Sequence, residues 1–296
     1  MPGWKTHGVQ VFIKRDDVLH KHVQGNKWRK LKYNLLKAKE LEKSQLVTFG
    51  GAFSNHIHAT AAAGRMFGFQ TIGLIRGDEL DNLSPTLAFA QEVGMELVYL
   101  DRTTYRRRKE ADFLRSIEEQ YPDAFIIPEG GSNALALKGV GEIVSEVDEQ
   151  MQERSSMIWC VGVGSGGTMA GIIRDVKDTD TVMGFSALKG DFVDEMVASF
   201  LDKPYSNWQI WKDGHFGGFA KWKPDLVDFI NNFYESTGIP LDPIYNGKLW
   251  YRLNDLILDG YFEKGSQIMV IHTGGLQGIE GFRQRFGDEL LPGWTY

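Results

Sequence analysis

The chain is poor in sulfur. Of its 296 residues one is a cysteine, Cys160, so no internal disulfide can form. That usage fits a reducing compartment and points to the cytoplasm. Cys160 lies mid-strand and reads as a small buried apolar residue. No uninterrupted apolar run approaches the ~18 residues of a membrane-spanning helix, so no membrane partner is expected. The opening Met-Pro-Gly-Trp-Lys has no charged segment followed by an apolar one, so no secretory leader is expected. Basic charge is short as well: Lys and Arg total 33 against 39 Asp and Glu, a net charge of −6. Nucleic-acid binding rests on phosphate neutralisation, and this balance argues against it. The one dense basic run, Arg106-Arg107-Arg108-Lys109, meets Glu110 and Asp112 at once and reads as a solvated helix face. No Pro/Ser linker and no solenoid period divides the chain.

What is present is an ordinary globular balance, 42% apolar and 24% charged, with two excesses. Glycine accounts for 34 of 296 residues, above the usual ~7%. Aromatic residues make up 12%, including 8 Trp. Of these, Trp208 and Trp211 flank Gln209-Ile210 and read as strand and interface packing.

Short β-rich runs alternate with helical ones. Strands are expected at 9–14, 45–49, 71–75, 96–100, 124–127, 156–161, 181–185 and 267–271. Helical periodicity runs from Lys27 through Trp28, Leu31, Leu35, Ala38 and Leu41. It returns in the Ala-rich stretch Ile57 to Phe67, after Ser84-Pro85 (a cap followed by proline), through Val140, Ile143, Val144 and Val147, and from Met169 to Val176. This alternation predicts an α/β protein of two open twisted, mainly parallel sheets flanked by helices. A smaller unit over 43–139 is expected to be inserted in a larger one built from 1–42 and 140–296. The C-terminal segment 290–296 is expected to dock on the body or on a partner subunit.

The glycines gather at strand-to-helix junctions: Gly50-Gly51, Gly130-Gly131, Gly162-Val-Gly-Ser-Gly-Gly-Thr168 and Gly274-Gly275. Ligands of open α/β sheets bind beyond the carboxyl ends of the strands. Backbone amides at a helix N-terminus favour an anion, so the loop Gly164, Ser165, Gly166, Gly167 and Thr168 reads as a phosphate cup. No lysine follows it, which excludes a P-loop. Gly162, Gly164 and Gly167 match a dinucleotide fingerprint, but the next strand ends near Phe185-Ser186-Ala187 with no acid for a ribose.

Two more stretches carry chemistry. In Gln24-Gly-Asn-Lys-Trp-Arg-Lys30, Lys27 stands at a helix start, where the dipole disfavours a cation and favours the neutral amine of an imine-forming lysine. On composition alone, Lys27, Arg29, Lys30 and Lys32 read as a solvated face. In Gly50-Gly-Ala-Phe-Ser-Asn-His56, Ser54 reads as an N-cap, with Asn55 and His56 adding polar atoms at the same helix mouth. Ser54 is not in a hydrolase elbow. His20, His22, His56 and His58 lack the spacing of a metal site, and no metal is expected.

Taken together, Gly-Asn-Lys27, Gly-Gly-Ala-Phe-Ser54-Asn55-His56, Gly164-Ser-Gly-Gly-Thr168, Leu241-Asp-Pro-Ile-Tyr245-Asn-Gly-Lys248 and His272-Thr-Gly-Gly275 resemble the D-cysteine desulfhydrase and 1-aminocyclopropane-1-carboxylate deaminase family. The motifs span 25–275. The resemblance implies pyridoxal 5′-phosphate as cofactor, the fold of the tryptophan synthase β subunit, and a homodimer. It also implies roles. Lys27 holds the cofactor as an imine, Asn55 bonds its 3-oxygen, and Gly164 to Thr168 cup its phosphate. Asn246 and Thr273 neighbour the pyridine nitrogen. Ser54, Asn55, His56, Phe216 and Tyr245 surround the substrate, with Lys27, Ser54 and Tyr245 catalytic. Lys27 or Tyr245 takes the α-proton.

Two positions depart from the family. Asn246 stands where the deaminase branch has a glutamate, which implies a weaker electron sink. Phe216 stands where the family has a tyrosine. The implied activity is lyase or deaminase chemistry on a small amino acid: β-elimination from D-cysteine to keto acid, ammonia and sulfide. The alternatives are 1-aminocyclopropane-1-carboxylate deaminase and a cofactor- or amino-acid-binding protein without turnover.

Overall fold

A computed structural model describes residues 4, 7–79, 82–151 and 154–287. The expected docking of 290–296 lies outside the described residues.

Among the described residues nine strands form two sheets in which every neighbouring pair is parallel. The smaller sheet has the order β4-β3-β2-β5: β4 is Met95–Leu100, β3 Gln70–Arg76, β2 Gln45–Gly50 and β5 Ala124–Ile127. The larger has the order β1-β9-β6-β7-β8: β1 is Gln10–Arg15, β9 Gln267–His272, β6 Met157–Val163, β7 Thr181–Ser186 and β8 Trp208–Trp211. The larger sheet joins the two ends of the chain, with Ile13 opposite Val270 and Cys160 opposite Val270 on the other side. Cys160 is fully buried, and burial pushes its thiol up. The expected fold class is the observed one.

The helices start where the residues dictate. α1 (Gly25–Glu40) precedes β2. α2 (Asn55–Phe67) opens on Ser54, whose Oγ accepts from Ile57 N, and closes on Gly68 in the left-handed conformation. α3 (Pro85–Glu92) opens on Ser84 and Pro85 as expected. α4 (Arg102–Arg106) and α5 (Ala111–Gln120) follow β4. α6 (Ala134–Met151) returns the chain to the larger sheet. α7 (Gly167–Asp175) follows β6, and α8 (Val193–Ala198) follows β7. α9 (Pro224–Thr237), α10 (Asn246–Leu258) and α11 (Gly278–Phe286) complete the order.

Helices cover both faces of the larger sheet. Leu226, Ile230, Phe233, Trp250 and Leu253 pack with Cys160 and Ile268 on one face. Val140, Ile143, Met169 and Ile172 pack with Trp159 and Val161 on the other. With both faces covered, a parallel strand reads as a near-continuous apolar run, as β6 does.

The basic face expected on α1 is not solvated. Arg29 and Lys30 are buried. Arg29 makes a two-pronged pair with Asp16 at 2.9 and 3.0 Å and reaches Glu146 of α6 at 2.7 Å. Lys32 pairs with Glu142. Charged residues sit on several sides of this helix because it is wedged between α6 and the ligand cavity. Composition does not register such a wedge. Among the described residues no helix is long and apolar enough to cross a membrane, and no cluster of three His, Cys, Asp or Glu could hold a metal ion.

Candidate active site

A cavity of about 1200 Å³ opens where the carboxyl ends of β2, β6 and β9 converge. Lys27, Ser54, Asn55, His56, Gly164 to Gly166, Thr168, Tyr245 and Thr273 all line it.

Lys27 is placed by a close backbone approach. Gly25 has φ +53°, and a Cβ there would lie 2.1 Å from the carbonyl oxygen of Thr273. Only glycine lets α1 rest on the loop after β9. Asn26 N donates to Thr273 O at 3.3 Å, and Gln24 Oε1 accepts from Gly275 N and Leu276 N at 3.1 and 3.2 Å. Two motifs at opposite ends of the chain thus form one object. Lys27 borders the cavity deep in the protein, and burial pushes its amine down to about 8. A nucleophilic or imine-forming lysine needs that shift.

The glycine loop is shaped by what crosses it. A Cβ at Gly164 would lie 2.7 Å from Tyr245 Cε1, and one at Gly167 would lie 2.6 Å from Ser132 Oγ. Gly166 has φ +82° and starts α7 with no side-chain cap, leaving first-turn amides to an external acceptor. Thr168 Oγ1 is taken by Asn26 Nδ2 at 2.9 Å.

Beside this loop stands a residue that the sequence reading did not place there. Lys30 Nζ donates to Ser132 Oγ at 2.9 Å, Ser165 Oγ at 3.2 Å and Gly130 O at 3.4 Å. Among the described residues no carboxylate pairs with it. Burial first, then the charge of Lys27, hold it well below the usual ammonium range. A buried amine against uncapped amides is costly to charge without an anion. The set therefore fits a phosphate. The i, i+3 spacing from Lys27 was the signal for Lys30; nothing local signals Ser132, which the fold brings from the far side of β5.

Ser54 Oγ lies at the cavity and accepts from Ile57 N at 3.3 Å, so its hydroxyl proton stays available. Asn55 lies against the loop after β9, its Nδ2 2.8 Å from where a Cβ on Gly275 would be. His56 turns inward. Thr48 Oγ1 donates to Ile127 O at 2.8 Å, so toward His56 Nε2, also at 2.8 Å, it accepts, and the imidazole proton sits on Nε2. Among the described residues Nδ1 has no hydrogen-bond partner, and it packs near Gly131. Burial, then Lys27 and Lys30, keep this ring neutral. It supports the helix mouth instead of extending a charged donor.

Asn246 differs from expectation. It is 1% exposed, with Nδ2 donating to Asp242 Oδ1 at 2.7 Å and Gly274 O at 2.8 Å, while Oδ1 accepts from Thr273 N at 3.2 Å and Thr273 Oγ1 at 3.4 Å. Its amide is fully used in joining α10 to β9, and it does not border the cavity. Asp242 does, and it also accepts from the amides of Ile244, Tyr245 and Asn246. The Tyr245 phenol is pushed up, first by burial and then by Asp242 and Glu129. It holds its proton at neutral pH.

Phe216 also differs. It packs edge-on against Tyr251, 4.9 Å between ring centres, in the core cluster behind the site. The loop aromatic at the cavity is Phe219, whose ring centre is 6.1 Å from that of Tyr245.

Residues 2–274 match the family model described as pyridoxal-phosphate dependent enzyme. A putative 1-aminocyclopropane-1-carboxylate deaminase of Pyrococcus horikoshii is 30% identical over 96% of this chain and 89% of its own. The bifunctional D-cysteine desulfhydrase/1-aminocyclopropane-1-carboxylate deaminase of Arabidopsis thaliana, mitochondrial, is 30% identical over 94% of this chain and 75% of its own. A crystal structure of an ACC deaminase homologue superposes with a TM-score of 0.83 at 27% identity, covering 98% of this chain and 90% of that one.

Proposed function

This chain belongs to the pyridoxal-phosphate dependent enzyme family, and from that premise we propose that it is a lyase acting by β-elimination on a small amino acid with a leaving group at Cβ. D-Cysteine is the simplest such substrate, giving keto acid, ammonia and sulfide. The observation that carries this reading is Lys27, an amine lowered to about 8 that shares one cavity with the uncapped glycine loop, Ser54, Asn55 and Tyr245.

Lys27 would hold the cofactor by its amine, Asn55 and Thr273 would flank its ring, and the amides of Gly164 to Thr168 with the ammonium of Lys30 would take its phosphate. When bound, the cofactor supplies an electron sink for the pair left at the substrate α-carbon. The chain's own groups do the rest. Lys27, neutral above about 8, takes the α-proton. Tyr245 keeps its phenolic proton and offers it as a hydrogen bond to the departing group. Ser54 and Asn55 orient the carboxylate at the start of α2, where the helix dipole favours an anion. Asp242 and Asn246 position Tyr245 and Thr273 without touching the reacting atoms.

The names of the relatives support ring opening of 1-aminocyclopropane-1-carboxylate equally, with the hydroxyls of Ser54 and Tyr245 at the cavity available for it. We place the enzyme in the cytoplasm as a homodimer, with one lobe over 43–139 and the other over 1–42 and 140–296.

The deciding experiment assays the purified holoenzyme for pyruvate and sulfide from D-cysteine against ketobutyrate from the cyclopropane amino acid. Pyruvate with sulfide supports elimination; ketobutyrate alone transfers the reading to the deaminase. No keto acid from either substrate would overturn both readings.

A further inference from the structure

The cavity has an apolar half that three-carbon chemistry does not use. Its volume of about 1200 Å³ exceeds the ~300–1,000 Å³ typical of drug-sized sites. Beyond Ser54 and Tyr245 its lining includes the apolar Phe53, Met196, Phe200, Phe219, Phe282 and Phe286, alongside the basic Arg76, Arg108, Lys109 and Arg285. Two of these large apolar side chains stand unusually open: Phe53 is 45% exposed and Phe219 is 53% exposed. Exposed apolar surface continuous with a reactive centre marks where a ligand is received.

Phe219 is held in that position at a cost. The loop between β8 and α9 has positive φ at Phe216 (+54°), Gly217 (+99°), Gly218 (+122°) and Ala220 (+55°). Positive φ is unfavourable for a phenylalanine or an alanine and persists only where the surroundings enforce it. The enforcing group is Lys248, buried beneath the loop, whose Nζ donates to His215 O at 3.0 Å and Gly218 O at 2.8 Å. Phe216 anchors the inner side on Tyr251. The outer residue, Phe219, is left facing the cavity beside Tyr245. Phe53 also lines the cavity. It precedes Ser54 and packs against α11 so closely that a Cβ on Gly281 would lie 2.6 Å from its ring.

We propose that this half of the cavity receives an apolar substituent carried on the β-atom of the substrate, and that Phe219 is the residue that selects for it. The substrate class is an S-substituted cysteine with an aryl or alkyl group on sulfur. The proposal rests on the elimination reading above. The bond from Cβ to sulfur breaks, the α-proton is removed, and the departing thiolate takes a proton and leaves as a free thiol. Water then replaces nitrogen, giving pyruvate and ammonium, so that one S-substituted cysteine and one water yield one thiol, one pyruvate and one ammonium.

The test uses holoenzyme with D- and L-cysteine and their S-methyl and S-benzyl derivatives, reading pyruvate and thiol together. Filling an apolar pocket changes kcat/KM by ~10-fold or more per well-placed group, so S-benzylcysteine of the accepted configuration should exceed cysteine by about tenfold. Phe219→Ser should lower that ratio about tenfold, and Phe219→Leu should restore most of it. Unchanged cofactor absorption and Tm establish that the variants fold. A ratio of one or less in the wild type overturns the proposal while leaving elimination from cysteine intact. If no amino acid yields pyruvate, the elimination reading itself fails. A second measurement then decides the pocket: tryptophan fluorescence of holoenzyme titrated with homophenylalanine against 2-aminobutyrate. Homophenylalanine binding about tenfold tighter supports an apolar receiver, and equal affinity overturns it.

Discussion

Lys30 Nζ lies 3.2 Å from Ser165 Oγ, so the first helix reaches the glycine loop across 135 positions of sequence. Ser132, from the loop after β5, bonds both at 2.9 Å. Three distant segments thus converge on one point at the mouth of α7. With no carboxylate beside it among the described residues, the amine at that point is held neutral and becomes an ammonium only beside an anion, a requirement that a phosphate meets.

Replacing that ammonium should act in opposite directions on two observables. Lys30→Met removes a buried group that is costly to charge, so the cofactor-free protein should gain in Tm. The same change deletes hydrogen bonds to an anion worth about 1.5–3 kcal/mol, so cofactor Kd should rise tenfold or more. Equilibrium dialysis and thermal melts of apo-protein measure the two. A lower apo Tm with unchanged cofactor affinity would show that Lys30 is structural only.

The amine of Lys27 is lowered to about 8 from an ordinary 10.5. For a base lowered in this way, the neutral form is scarce below about 8 and dominant above it. The rate at which apo-protein captures the cofactor should therefore climb with pH and level off just above 8. Stopped-flow absorbance follows it. A rate still climbing toward 10.5 would mean that the lysine is not desolvated.

Asn246 spends its whole amide inside the protein. Asn246→Ala should destabilise by about 2 kcal/mol or more, because Thr273 N and Gly274 O are left buried without partners. Asn246→Asp should be worse, since it sets a second carboxylate where the amide now donates to Asp242 at 2.7 Å. Urea melts report both. If either variant leaves stability unchanged and shifts only the cofactor spectrum, Asn246 contacts the ligand after all.

Gly25 admits no side chain. With φ +53° and a prospective Cβ 2.1 Å from Thr273 O, Gly25→Ala should cost at least ~2 kcal/mol and displace Lys27. Loss of both Tm and visible cofactor absorption is expected. Full retention of the absorption would mean that α1 does not need this close approach.

The acid side of the stability curve should carry the signature of Glu146. Arg29 first, then Lys14, hold its carboxyl near 2, below the ordinary 4.5. A lowered carboxylate contributes stability that is present above its unfolded value and is lost as pH falls through its folded value. The Tm of the wild type should thus fall as pH drops from about 4.5 toward 2, and Glu146→Gln should flatten that fall. Parallel curves for the two proteins would remove Glu146 from the account.

Much of this was written locally. Strand and helix positions followed from apolar spacing and from caps such as Ser54 and Ser84. The glycine loop announced an anion, because a run of small residues at a strand end exposes amides whatever the rest of the chain does. Lys27 was legible because a lysine at a glycine-led helix start is out of place electrostatically. The roles of His56, Asn246 and Phe216 were not legible in the same way. His56 lines the cavity but bonds inward to Thr48, while Asn246 and Phe216 sit one and three positions from the cavity residues Tyr245 and Phe219, and a helix turn or a positive φ decides which neighbour faces in. Lys30 was hidden for a related reason, since among several basic residues on one helix composition favours the solvated reading.

The sequence by itself determined the α/β alternation, the glycine loop at a strand end and the lysine at a helix start, all products of spacing within about ten residues. The tertiary structure decided which side chains meet: that Lys30 joins Ser132 and Ser165, that Asn246 is consumed by Thr273 and Gly274, and that Phe219 rather than Phe216 borders the cavity. These pairings depend on parallel strands bringing segments more than 25 residues apart into register. They depend also on burial, which turns an ordinary lysine or histidine into a neutral one only after the chain has closed around it.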